Sequence, residues 1–320
     1  MRAVFKPERS KAKLRGLLAP TLLLPVLLLA TLVACSDLGS ADGSVAAPDA
    51  ASGEKPREED AASGAREATV GVAARTGKVH DPAGAAFVAR AEASGGSSYE
   101  ADTVRAIRYG AHEGYERVVL DLGTGDEPAA SVPEWTIMSP TGDGLLRVNL
   151  PSISRTAVSD DTFGNGLLDG YYVVRAPEGG MFVDVFARKP LAYRVLGLSE
   201  PARLVVDFKP AGSPLKVRPP AVGGDTVLME PRAGARIRDP LTVCGYSRNF
   251  EASNFIALTD AEGRVVVRRT VLGNDWTSTW GYFEATMDLP SFEGKGTLRV
   301  GTRSARDGTF EGIEVPVKGD

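Results

Sequence analysis

Two histidines, His80 and His112, are all the imidazole that this 320-residue chain contains. Neither a Ser-His-Asp relay nor a multi-histidine metal site therefore has its usual members. His112, in Ala111-His112-Glu113-Gly114, has the chemistry of a general base, but a lone histidine in such a stretch reads more simply as a turn or edge residue. No glycine-rich loop opens a helix to cradle phosphate. Asp160, Asp161, Asn165 and Asp169 crowd one polar stretch whose oxygens suit calcium; the spacing is wrong for an EF-hand, and a solvated Asx-rich turn is the simpler reading. Cys244 has no adjacent histidine or helix N-terminus to lower its pKa, so it is expected to act as a small apolar strand residue. These residues predict no enzyme, no cofactor and no metal.

What remains points to binding. Arg117-Val118-Val119-Leu120-Asp121 and Arg203-Leu204-Val205-Val206-Asp207 repeat one pattern, with arginine and aspartate four apart. On a strand, Arg117, Val119 and Asp121 share one face while Val118, Leu120 and Leu122 share the other, and the second copy behaves alike. Each strand is thus expected to carry an outward charge pair over a buried apolar row. These charges would cross-pair on a solvated face, guard an edge, or meet a ligand. Trp276 and Trp280 flank Thr277-Ser278-Thr279 in a long loop, where they would form either an exposed stacking patch or core under the loop.

The elements that must position these residues follow an export signal. Arg2, Lys6, Arg9, Lys11, Lys13 and Arg15 precede an apolar stretch from Leu17 to Val33, interrupted by Pro20 and Pro25. The stretch is at the short end of what spans a bilayer. Its terminal Leu32-Val33-Ala34-Cys35 resembles the lipobox of bacterial lipoproteins. That resemblance implies a signal peptide over 1–34 and diacylglyceryl and N-acyl lipid on Cys35, holding the protein on the extracytoplasmic side of the cell membrane. An uncleaved anchor is the rival. The chain has two cysteines. With Cys35 lipidated, Cys244 is expected to stand alone, without a disulfide framework. A net charge of -4, with no basic cluster after the signal, argues against nucleic acid as a partner.

Residues 35–102 are dominated by Ala, Gly, Ser, Asp and Glu and are expected to form a disordered tether, with a short helix possible near Ala85–Ala93. From 103 to 210, short alternating runs separated by Gly, Pro and Asp turns predict an all-β module. Pro214, Pro219, Pro220 and Gly223-Gly224 mark a linker over 211–224. Seven further strands over 225–320 predict a second β-sandwich, of immunoglobulin type. Asp260-Ala261-Glu262-Gly263 is expected to turn one of its hairpins, and Phe283, Ala285, Met287 and Leu289 to face its core.

Two family resemblances join this reading. Val104 to Leu122, with its His112-Glu113-Gly114-Tyr115-Glu116-Arg117-Val118-Val119 core, together with Pro201 to Phe208, resembles the AMIN (amidase N-terminal) domain and its AMIN-like relatives. This implies a non-catalytic β-sandwich that localises its host to peptidoglycan or the envelope. Glu230 to Val243, Phe283 to Pro290 and Gly296 to Val300 resemble the immunoglobulin-like domain of bacterial sporulation and spore-germination proteins. There the implied role is binding or assembly, and this chain departs by Cys244 and by the long loop from Asn274 to Gly281. The expected whole is a non-enzymatic envelope lipoprotein that binds peptidoglycan or, alternatively, scaffolds envelope proteins. Its candidate ligand contacts are Arg117, Asp121, Arg203, Asp207, Trp276 and Trp280.

Overall fold

The computed structural model describes residues 86–89, 92–138, 144–212, 215, 218–304 and 306–319. The signal segment, the lipobox with Cys35 and most of the expected tether lie outside the described residues. Apart from one 3₁₀ turn at Phe250–Ala252, the regular structure is β. In chain order the strands of the first half are β1 (Glu92–Gly95), β2 (Thr103–His112), β3 (Tyr115–Thr124), β4 (Glu127–Pro128), β5 (Trp135–Met138), β6 (Leu145–Leu150), β7 (Arg155–Thr156), β8 (Asp160–Thr162), β9 (Leu168–Arg175), β10 (Met181–Ala187), β11 (Leu191–Leu198) and β12 (Arg203–Pro210). The second half adds β13 (Ala221–Gly223), β14 (Thr226–Glu230), β15 (Arg236–Ile237), β16 (Leu241–Ser247), β17 (Ser253–Asp260), β18 (Val265–Leu272), β19 (Trp280–Met287), β20 (Gly294–Arg303) and β21 (Phe310–Gly319).

Alternation decides which faces close. Val118, Leu120 and Leu122 on β3 and Leu204, Val206 and Phe208 on β12 point inward, where they meet Trp135, Ile137, Val148 and Val183 in one core. This is the first sandwich: the six-stranded sheet β11-β12-β3-β2-β7, with β4 beside β3, lies against β1, β5, β6, β10 and β9. In the second sandwich Phe283, Ala285, Met287 and Leu289 are buried with Val243, Ile256, Leu298 and Val315, as expected, beneath the five-stranded sheet β15-β21-β20-β17-β18. Gly263 turns the β17–β18 hairpin at φ +80, and the Asp260 carboxylate accepts the backbone N–H groups of Glu262 and Arg264.

Every strand expected from the sequence is present, and two short strands are added in segments that composition assigned to the tether and the linker. Glu92–Gly95, assigned to the tether, pairs antiparallel with β5, and Val88 bridges Tyr193. The helix considered there is therefore replaced by extended chain at its described positions. Ala221–Gly223, assigned to the linker, forms the edge of a sheet by pairing with β14. Both segments are too short to show an alternating apolar row, and only a remote partner strand makes them β.

The two sandwiches also share a sheet. β9 pairs with β19 in parallel, Val174 opposite Trp280 and Arg175 opposite Gly281, producing one ten-stranded sheet of order β1-β5-β6-β10-β9-β19-β16-β14-β13, with β8 beside β9. β9 and β19 stand between β10 and β16, which would place those two about 14 Å apart in a flat sheet. Yet the Tyr246 ring on β16 lies 6.2 Å from Phe182 on β10 and 5.5 Å from Tyr172 on β9. The sheet is folded along this seam. Its concave side forms a third core in which Leu145, Val174, Phe182, Val227, Met229, Tyr246 and Trp280 are buried.

The long loop expected over Asn274 to Gly281 is what docks. Asn274 donates its side-chain amide to the carbonyls of Arg175 and Ala176 at 3.1 Å each, and Arg175 pairs with Asp275 at 3.1 Å. Asp275 also accepts the backbone N–H groups of Trp276, Thr277 and Ser278, closing the loop on itself. Burial opposes its charge, but those amide donors and Arg175 hold the carboxyl below its ordinary value. A Cβ at Gly281 would lie 2.0 Å from the Asp275 carbonyl oxygen, so this closure requires glycine. Buried Thr279 donates its hydroxyl to the Val173 carbonyl across the seam.

Candidate functional site

The repeated arginine–aspartate strands are antiparallel neighbours. β12 pairs with β3 in the register that sets Asp207 opposite Arg117 and Arg203 opposite Asp121. A spacing of four on both strands makes the match reciprocal, because reversing one strand brings each arginine onto the other's aspartate. The two matches end differently. Arg117 grips Asp207 with two bonds of 2.6 and 2.9 Å, Arg194 of β11 adds a third at 2.7 Å, and the carboxylate is 0% exposed. Asp121 is instead held by Arg108 of β2 in a fork of 2.6 and 2.8 Å, with 23% of its side chain exposed. Arg203 reaches the Pro201 carbonyl at 3.4 Å.

The expectation of two outward charge pairs is corrected for the second copy: Val205 is 4% exposed and Asp207 fully buried. Aromatic rings cover this part of the face. The Arg194 guanidinium lies over Phe87 and Tyr115, with ring-centre distances of 4.9 and 5.3 Å, and Lys209 sits 4.5 Å from the centre of Phe87. His112 occupies the β2–β3 hairpin, exposed, and stacks on Tyr115 at 4.7 Å.

Beyond the ion pairs, at the other end of β2 and β3, the same sheet opens into a cleft of about 370 Å³. Its walls include Arg105, Asp121, Asp126, Leu122, Pro201 and Ala202. One rim is the turn joining β3 to β4. Asp102 fixes that turn by accepting the Thr103 hydroxyl at 2.6 Å, the Gly125 backbone N–H at 2.9 Å and an Arg155 N–H at 2.7 Å. The Thr103 hydrogen bond, the Gly125 amide and Arg155 together lower the Asp102 pKa from 3.8 to about 2. This cleft was not read from the sequence, although one signal was available. Val104 and Ile107 both serve the core, an odd spacing that no regular strand permits, and it marks the bulge that turns Arg105 aside.

The tryptophans separate. Trp280 is 5% exposed and donates its ring N–H to Asp160 at 3.0 Å, so it is core at the seam. Trp276 is half-buried and meets the Phe250 ring edge-on at 5.1 Å, with Phe250 itself 66% exposed. The oxygen-rich stretch is dispersed among strands and arginines. Asp160 and Asp161 belong to β8, Asp169 pairs with Arg188 at 2.6 Å, and no group of three metal-ligating side chains occurs among the described residues. Cys244 is buried on β16 and disulfide-bonded, which corrects the expectation that it stands alone.

Two sandwiches fused through one sheet, with a charged face and a cleft, define an all-β protein of two domains. Residues 102–210 match the AMIN-like domain family, and residues 226–309 match the immunoglobulin-like domain of bacterial spore germination. The chain therefore carries an AMIN-like domain followed by that immunoglobulin-like domain, and the first of these points to the cell envelope. Comparison with curated proteins and with solved structures returned no match.

Two substitutions distinguish the paired aspartates. Asp207→Ala removes the buried carboxylate that Arg117 and Arg194 share, side chains 17% and 10% exposed, and is expected to cost about 3–5 kcal/mol in urea unfolding. Asp121→Ala removes a pair whose Arg108 is 56% exposed and is expected to cost under about 1 kcal/mol. Equal costs would contradict the assignment of Asp207 as the structural centre of the face.

The Asp102 carboxyl gives a pH dependence of fixed sign. Its folded pKa is depressed, so its contribution is present above 3.8 and is lost as pH falls towards about 2. A carboxyl-carbon NMR titration should place its midpoint near 2; a midpoint at 3.8 would mean that the Gly125 turn is not held as described.

Proposed function

We propose that this chain is an exported, lipid-anchored envelope protein whose AMIN-like domain binds peptidoglycan. The observation that carries the reading is the coincidence of that domain with the open cleft and charged face of the six-stranded sheet. Leu32-Val33-Ala34-Cys35 supports the anchor, and lipid on Cys35 would hold a weak binder at high local concentration beside the wall. Among the described residues no helix is long and apolar enough to cross a membrane. The second reading, a scaffold for envelope proteins in sporulation or germination, is favoured by the immunoglobulin-like match and by the exposed Phe250 edge beside Trp276. Neither reading uses a catalytic group.

Co-sedimentation of residues 86–320 with purified sacculi tests the first reading. Pelleting with the wall is expected. A protein that stays soluble while capturing a defined envelope protein would replace wall binding with scaffolding.

The anchor has its own test. Membrane-extracted protein is expected to carry a mass increase from lipid, and Cys35→Ala is expected to abolish both that increase and membrane retention. Wild-type protein with no added mass would contradict the anchor.

A further inference from the structure

We infer that the cleft of the six-stranded sheet is a site for a zwitterionic peptide, with Arg105 taking a carboxylate and Asp126 an ammonium group. The inference rests on the peptidoglycan reading and deepens it, since the site would take the wall's peptide stem rather than its sugar chain.

Arg105 is aimed by the backbone. In the β2–β3 ladder Val104 faces Leu122 and Ala106 faces Asp121, leaving Arg105 as the extra residue of a β-bulge. Bulges re-aim a side chain out of the regular alternation. The arginine stem lies across Gly123, where a Cβ would sit 2.2 Å from the Arg105 Cδ. Gly123 thus provides the groove in which the guanidinium is laid towards the cleft.

The charge balance around it is unusual for this face. Asp121, the nearest wall carboxylate along β3, is already neutralised by the Arg108 fork. Asp207 is satisfied by Arg117 and Arg194. Among the described residues neither Arg105 nor Asp126 has an ion-pair partner, and both line the cleft. Asp126 stands exposed on the turn that Asp102 fixes through Gly125. An arginine whose stem packs on Gly123, a carboxylate carried on a held turn and an apolar lining of Ala106, Leu122 and Ala202 match a short peptide bearing a carboxylate, an amine and small apolar side chains. A polyol phosphate would satisfy Arg105 but leave Asp126 facing like charge.

The test uses residues 86–320 and a soluble wall-derived tetrapeptide with a free C-terminal carboxylate and a free diamino-acid side-chain amine. Amide NMR shifts at Arg105, Gly123, Gly125 and Asp126 report binding. Arg105→Glu is expected to weaken binding more than 10-fold, Arg105→Lys and Asp126→Asn less, and amidating the carboxylate or acetylating the amine should each weaken wild-type binding. Unchanged affinity in Arg105→Glu, or shifts confined to other surfaces, overturns the inference. A glycerol-phosphate oligomer that binds the cleft more tightly than the peptide also overturns it. If sacculi bind wild type and Arg105→Glu equally, the cleft is wrong while wall binding stands; if sacculi bind neither, the peptidoglycan reading itself fails. Retained amide dispersion in each variant separates lost binding from lost fold.

Discussion

The parallel pairing of β9 with β19 is the constraint on which the rest of the molecule depends. Only Val174–Trp280 and Arg175–Gly281 are in register, yet they join two sheets into one and oblige the chain on both sides to close. Backbone groups at a buried strand end need partners, and Asn274 and Thr279 supply them from the loop that leads into β19. Folding the sheet along this line then creates an apolar interior from residues that would otherwise lie on the outer faces of two separate sandwiches. Tyr172, Tyr246 and Trp280 meet edge-on or tilted within it. Burial, with the nearby Asp184 carboxylate, pushes the Tyr246 phenol well above its ordinary pKa, so it remains a donor, 3.4 Å from Asp184.

That closure assigns the charged residues their tasks. Asp184 and Asp207 are both fully buried and both held by arginine forks, the first by Arg147 at 2.7 and 2.8 Å, the second by Arg117 and Arg194. Arg147 further covers the Phe182 ring at 3.8 Å. Removing a member of such a cluster leaves an uncompensated charge, so each fixes the register of its strands more than it adds net stability. These arginines are spent on structure, whereas the bulge sets Arg105 apart, at the cleft. The face that sequence alone marks as a charge repeat is thus mostly scaffold.

Much of this was legible in the chain. Alternation at Val118, Leu120 and Leu122 and at Phe283, Ala285 and Met287 is a local signal, and it located the strands and the buried faces correctly. The antiparallel match of Arg117 with Asp207 was implicit in the repeated spacing. What escaped depends on partners remote in sequence. β1 and β13 are only four and three residues long, too short for a period to show, and become strands through β5 and β14. Trp280 resembles a loop tryptophan until Asp160, 120 residues away, accepts its N–H. The cleft needs a bulge, which by its nature interrupts the period that reveals strands, and the odd step from Val104 to Ile107 is the trace it leaves.

The central claim is that the AMIN-like and immunoglobulin-like domains form one body through the β9–β19 seam. Residual dipolar couplings of backbone amides, measured separately over 102–210 and 226–309 in one weakly aligned sample, test it directly. A shared seam predicts a single alignment tensor, equal in magnitude and orientation for both sets. Two tensors of different magnitude would mean domains that reorient independently, and would contradict the account.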